Sequence, residues 1–279
     1  MTHRADYPPA PEPLPFPVVD NHCHLDMELR GGGQLTLREA IDEAKAVGVT
    51  RIVQVGCDLE GSRWAVDAAE EHPELVAAVA LHPNEAPRLG DGLAEALAQI
   101  DALAASGPHV RAVGETGLDY FRTGEDGHAA QHESFRAHIE MAKRHDKTLV
   151  IHDRDAHDDI LMILDECGVP ERTVMHCFSG DADFARACLD RGAWLSFSGT
   201  VTFNNAGNLR VALAITPRDK ILVETDAPFL TPTPYRGKPN ASYLIPVTVR
   251  FMADFVGVST ESLCLDIEAN TDRAFGGHW

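Results

Sequence analysis

Val18-Val19-Asp20-Asn21-His22-Cys23-His24-Leu25-Asp26 carries the pattern from which the fold can be read. Two β-branched residues lead into a His-x-His, and acids flank it on both sides. Side chains alternate along extended backbone, so a strand here points His22 and His24 to one side and Cys23 to the other. Two imidazoles at a strand end are a metal-binding pair only where other ligands meet them. The pair gains its meaning from what later strands deliver to the same place.

Beyond this stretch, short β-branched runs alternate with amphipathic helical patterns. Eight runs are expected as strands, near 17–22, 51–56, 75–81, 110–114, 148–152, 173–177, 193–197 and 220–224. Helical patterns fall between them, near 36–48, 59–71, 91–105, 127–145, 156–167, 181–190 and 206–214, and two more close the chain at 243–256 and 259–275. Asp58 and Asp181 stand where helix N-caps belong. Leu149-Val150-Ile151 and Ile221-Leu222-Val223 are unbroken apolar runs, as strands buried on both faces require. Strand–helix alternation argues for an α/β fold, and eight units argue for one (β/α)8 TIM barrel over residues 17–279. A doubly wound open sheet is the alternative. Prolines at 8, 9, 11, 13, 15 and 17 mark residues 1–16 as an extended, mobile Pro-rich arm.

Composition excludes several function classes. The 279 residues carry 43 acids against 24 basic residues, a net charge of −19. A broad basic surface for nucleic acid is excluded, but a phosphate held locally beside divalent cations is not. No apolar run is long enough to span a membrane. Residues 1–17 lack the apolar middle of a signal peptide. Six scattered cysteines with no CxxC pair are expected to be free packing residues, with Cys23 and Cys177 facing away from the metal. A cytoplasmic location follows as an expectation, with no stable protein partner.

Six polar residues fall at the C-terminal ends of expected strands, where a barrel gathers its mouth. His22 and His24 end the first, Glu115 the fourth, His152 the fifth and His176 the sixth; Asp226 follows the eighth. Their intervals match whole strand–helix units. Imidazole with carboxylate suits zinc or manganese, and carboxylate also serves magnesium. The number of ligands calls for two divalent ions: His22, His24 and Asp226 around one, His152 and His176 around the other, Glu115 shared. Asp226 is also the candidate general base. Arg154, Arg236 and Lys238 are candidates for phosphate oxygens, and Tyr120, Phe121, Phe178 and Tyr235 for base stacking. His82, in Leu81-His82-Pro83, faces the same mouth as a pocket wall. The other histidines, His138 among them, are read as structural or surface groups.

Several motifs resemble the TatD family of metal-dependent DNases, within the amidohydrolase superfamily. They are Asp-Asn-His-Cys-His-Leu-Asp (20–26), Leu-His-Pro (81–83), Gly-Glu-Thr-Gly-Leu-Asp-Tyr (114–120) and Ile-His-Asp-Arg-Asp-Ala (151–156). His-Cys-Phe-Ser-Gly (176–180), Glu-Thr-Asp-Ala-Pro-Phe-Leu (224–230), Tyr-Arg-Gly-Lys-Pro-Asn (235–240) and Asn-Thr-Asp-Arg-Ala-Phe (270–275) complete the set in order. The resemblance implies a TIM barrel, one or two divalent metals on the same six ligands, and hydrolysis of phosphodiester bonds, typically DNA trimmed from a 3′ end. The family often has a proline two residues after the motif asparagine; here the run is Asn240-Ala241-Ser242. A hydrolase of small esters, lactones or amides, or an aminoacyl-tRNA deacylase, would use the same ligands. A non-catalytic scaffold is the reading from another class.

Overall fold

A computed structural model describes residues 6–29 and 32–279. The strands are β1 (Val18–Cys23), β2 (Val49–Val55), β3 (Leu75–Val79), β4 (Val110–Asp119), β5 (Thr148–Arg154), β6 (Thr173–Met175), β7 (Trp194–Phe197) and β8 (Ile221–Val223). They pair in parallel in chain order. Backbone bonds between His22 and Asp226 and between His24 and Ala227 bring the end of β1 to the segment after β8, so the expected (β/α)8 barrel is the fold.

The helices are α1 (Leu37–Ala46), α2 (Leu59–Glu71), the short α3 (Ala86–Leu89), α4 (Leu93–Ala104), α5 (Glu125–Arg144), α6 (His157–Cys167), α7 (Ala182–Asp190), α8 (Gly207–Ile215), α9 (Ile245–Val256) and α10 (Thr260–Ala274). Asp58 and Asp181 cap α2 and α7 through their side chains, and a Thr36–Glu39 capping box opens α1.

Alternation along the strands divides the core in two. Val53, Val55, Val76, Ala78, Val150, Val174 and Leu222 fill the barrel interior with Phe275 from beyond α10. Ile52, Leu75, Leu149, Ile151, Ile221 and Val223 pack outward in the larger cluster that includes the helices. The unbroken apolar runs are thus strands buried on both faces. The closing motif is structural. Asn270 Nδ2 donates to the carbonyls of Arg218 and Ile221 at 2.7 Å, and Arg51 pairs with Asp272 and Glu268.

Two strands carry an extra residue where the site begins. Between Asp20 and Cys23, β1 advances three residues while β2 advances two. Between Val113 and Thr116, β4 does the same against β5. An inserted residue reverses which face later side chains take. Val18 and Cys23 accordingly both pack outward although they are five positions apart, and His22 and His24 turn in. Gly117 lets β4 and β5 approach there, since a Cβ would sit 2.0 Å from the His152 carbonyl oxygen.

The arm differs from expectation. From Pro8 to Leu14 it lies against α1 and α9, not loose. Pro8 O accepts from Tyr243 Oη, Glu12 O and Pro13 O accept from Arg250, and the Leu14 amide donates to Val47 O at 2.9 Å. Leu14 is buried in the outer core. Extended Pro-rich backbone has no internal bonds, so it is free to spend its polar groups on the barrel. Residues 1–5 lie outside the described residues.

Candidate metal centre

The six candidate ligands converge at the C-terminal end of the barrel. His22 Nε2 and His24 Nε2 are 3.3 Å apart. Glu115 Oε2 is 3.4 Å from the first and 3.8 Å from the second, and Asp226 Oδ1 is 3.8 and 3.4 Å from them. The other oxygen, Glu115 Oε1, faces the remaining histidines: His152 Nδ1 at 2.5 Å and His176 Nε2 at 3.1 Å. One carboxylate therefore divides its two oxygens between two pairs of imidazoles.

Donor chemistry fits divalent cations. His24 Nδ1 donates to the Val55 carbonyl at 2.9 Å, which leaves the Nε2 lone pair facing the centre. His176 stands between two carboxylates, its Nδ1 2.9 Å from Glu224 Oε1 and its Nε2 3.1 Å from Glu115 Oε1. A lone pair 3.1 Å from a carboxylate oxygen is repulsive unless a positive charge, a proton or a metal ion, stands between them. Ligands about 2.1 Å from one tetrahedral ion stand roughly 3.4 Å apart, close to the separations seen around His22 and His24. Burial pushes the Glu115 carboxyl up, but the His176 and His82 imidazoles and the hydrogen bond from His152 outweigh it and hold it well below the usual range. Asp226, burial notwithstanding, is also held low, chiefly by His24. Its φ of 57° is a left-handed conformation rarely adopted by a residue with a side chain.

Supporting groups include several that sequence reasoning passed over. Glu224 is 1% exposed and accepts the Cys177 amide at 2.9 Å as well as facing His176. Asp119 Oδ2 lies 3.4 Å from His152 Nε2 and accepts from Asn84 Nδ2 at 3.2 Å. Asp20 accepts the Thr225 amide and hydroxyl, pinning the segment after β8 to β1. Acids already visible at positions 119 and 224, at the same strand ends, were the available signal. His82, expected as a pocket wall, sits with Nε2 3.6 Å from Glu115 Oε1 and its ring edge-on to His152.

A cavity of about 940 Å³ opens above the centre. Arg88, Arg122 and Arg154 line it, together with the half-exposed Phe229. Arg154, an expected phosphate contact, is thus at the mouth, its guanidinium 3.8 Å over the Phe121 ring. The other substrate candidates lie elsewhere. Tyr120 is turned from the cavity: its hydroxyl meets His132 of α5 and Asp159 of α6, and its ring stacks on His128. Phe178 is 2% exposed and packs against Phe184 and Phe197, so it seals the core. Arg236 is exposed, its guanidinium 4.0 Å over Phe203. All six cysteines are free. Cys177, expected to face away, lines the cavity, because β6 ends at Met175 and alternation no longer holds. Cys57 lines it too, its sulfur 3.6 Å from His24 Nδ1.

Residues 19–276 match the sequence model of the TatD related DNase family. The chain belongs to that family. Relatives extend the match over whole chains. A metal-dependent hydrolase TatD of Mycobacterium tuberculosis, described as uncharacterized, is 45% identical, covering 94% of this chain and 99% of its own. The hydrolase YabD of Bacillus subtilis, also described as uncharacterized, is 38% identical over 92% and 98%. Among solved structures, the TatD homologue YjjV of Escherichia coli superposes with a TM-score of 0.85 at 27% identity, over 94% of this chain and 98% of that one. This TatD-family chain is a metal-dependent hydrolase. Its described helices include none long and apolar enough to cross a membrane.

The TatD-family motifs now have physical roles. The run from Asp20 to Asp26 supplies two imidazoles and the carboxylate that ties β1 to Thr225. Asn240, before the Ala241-Ser242 departure, donates from Nδ2 to the Thr225 and Phe229 carbonyls at 2.9 and 2.6 Å, so the loop after β8 is closed without the proline.

Proposed function

We propose that this chain hydrolyses phosphodiester bonds at nucleic-acid ends, trimming DNA from its 3′ terminus. The observation that carries the reading is the Glu115 carboxylate, which offers one oxygen to His22 and His24 and the other to His152 and His176 at the floor of an arginine-rimmed cavity. His22, His24 and Asp226 would hold one divalent ion and His152 and His176 the other, with Glu115 common to both; magnesium, manganese and zinc all accept this donor set. Ions bound there lower the pKa of water towards neutrality and draw charge from the phosphoryl oxygens.

The chain's own residues supply the rest. Asp226, held ionised beside His24, would take the proton of the attacking water. The Val55 carbonyl holds His24 in one tautomer, and the Glu224 carboxylate lies 2.9 Å from His176 Nδ1 on the side away from the cavity floor's Glu115. Arg88, Arg122 and Arg154, which line the cavity, would hold non-bridging phosphate oxygens. Phe121 and Phe229, 64% and 51% exposed, offer ring faces to unpaired bases.

The test is a nuclease assay of metal-loaded protein on 3′-labelled single-stranded DNA. The His22→Ala, His24→Ala double variant should lose on the order of 10³-fold or more in rate. Equal activity in both proteins would trace the nuclease to a contaminant. Turnover of esters or lactones with none of DNA would replace the phosphodiesterase reading by a carbonyl hydrolase.

A further inference from the structure

A second, smaller pocket adjoins the metal cavity and is unused by the chemistry above. It has a volume of about 200 Å³ and lies between the ends of β6 and β7 and the start of α8. Cys177, Ser179 and Thr200 line both it and the larger cavity, so the two share a wall. One of the shared residues, Cys177, directly follows the candidate ligand His176, so the pocket opens beside the metal centre.

Its lining has two characters. Phe203 and Leu209 give it apolar sides over the buried Phe178. Asn205 and Asn208, both exposed, bring carboxamides to its edge, and neither makes a side-chain hydrogen bond to another described residue. Each carboxamide offers two donor hydrogens and an acceptor oxygen. The Arg236 guanidinium stands 4.0 Å over the Phe203 ring without lining the pocket, and so braces that ring in place.

We propose that this pocket binds a nucleobase of the substrate, the one attached to the sugar next to the hydrolysed phosphate. Ring faces with amides at the edge suit a flat heterocycle that stacks on one surface and hydrogen-bonds along its rim. An aliphatic chain would leave the asparagines idle, and a second phosphate would find no cation in the lining. Arg236 is then a positioning residue for Phe203 rather than a phosphate ligand. This rests on the phosphodiesterase reading for its biological sense, but binding can be measured apart from turnover.

The experiment is calorimetric titration of metal-loaded protein with dAMP and with deoxyribose 5-phosphate, which lacks the base. Stacking on an aromatic side chain predicts that dAMP binds about tenfold more tightly. In Phe203→Ala that advantage should disappear, and in Asn208→Ala, an exposed position that leaves folding intact, it should fall several-fold. Equal affinities of the two ligands for the unaltered protein would overturn the proposal, as would full retention of the advantage in both variants. Base-dependent binding through Phe203 with no cleavage of any DNA would keep the pocket and remove the phosphodiesterase reading.

Discussion

At the scale of single residues, Glu115 and His138 make opposite uses of burial. Glu115 is buried among imidazoles and has an oxygen for each histidine pair. Glu115→Ala should therefore lower metal content in both halves, whereas His24→Ala should mainly lower one. Metal titration of the two variants checks this, and indistinguishable stoichiometries would defeat the shared-ligand assignment. His138, read from sequence as structural, is fully buried in α5 and neutral: Nδ1 donates to Ser134 O at 2.7 Å and Nε2 accepts the Leu81 amide at 3.1 Å. Burial pushes its pKa down to about 4, below the unfolded value near 6.5. Between those values the unfolded chain binds the proton more readily, so this stability is complete above about pH 6.5 and is lost as pH falls towards 4. The linked loss is about 3 kcal/mol at most. Urea unfolding across that range should fall more steeply for the native protein than for His138→Leu, which is weaker at pH 7 but flatter. Parallel curves would mean that His138 does not titrate with folding.

Among the elements, β1 and β4 each take an inserted residue just where they bring His22, His24 and Glu115 to the barrel mouth, whereas β5 delivers His152 in regular register, and the arm is packed against the outer helices. Reversal of face in β1 and β4 is what separates a buried polar strand end from a metal centre. The arm can be tested through Leu14, which packs in the outer core and whose amide bonds Val47 O. Leu14→Ala should cost about 2–4 kcal/mol in urea unfolding, as other buried leucine truncations do. A cost near zero would return the arm to the mobile tail that its prolines imply.

For the whole molecule, the governing quantity is charge. A net −19 repels a long polyanion, while on the phosphodiesterase proposal Arg88, Arg122 and Arg154, which line the cavity, would attract a phosphate only at the mouth. Short single strands should therefore be cleaved in preference to a long duplex, on the order of tenfold in kcat/KM at low ionic strength. Raising salt from about 50 to 200 mM should shrink the ratio, because the long-range repulsion is screened first. Rates on a trinucleotide and on a long duplex at both salts are the measurement; a ratio that grows with salt would contradict it.

From sequence alone, the order of strands and helices and the identity of the six converging side chains were determined, because hydrophobic period and residue type are properties of one segment at a time. Only the tertiary structure decided which face those side chains take, since facing depends on register with the neighbouring strand. Cys177 in the cavity, Tyr120 turned towards α5 and α6, and the packed arm were hidden for the same reason. Each depends on where an element ends and on what lies across from it. His22 and His24 were legible as a pair from the start; Glu224 beside His176, and the Val55 carbonyl that accepts from His24, become visible as partners only when strands distant in sequence are brought side by side.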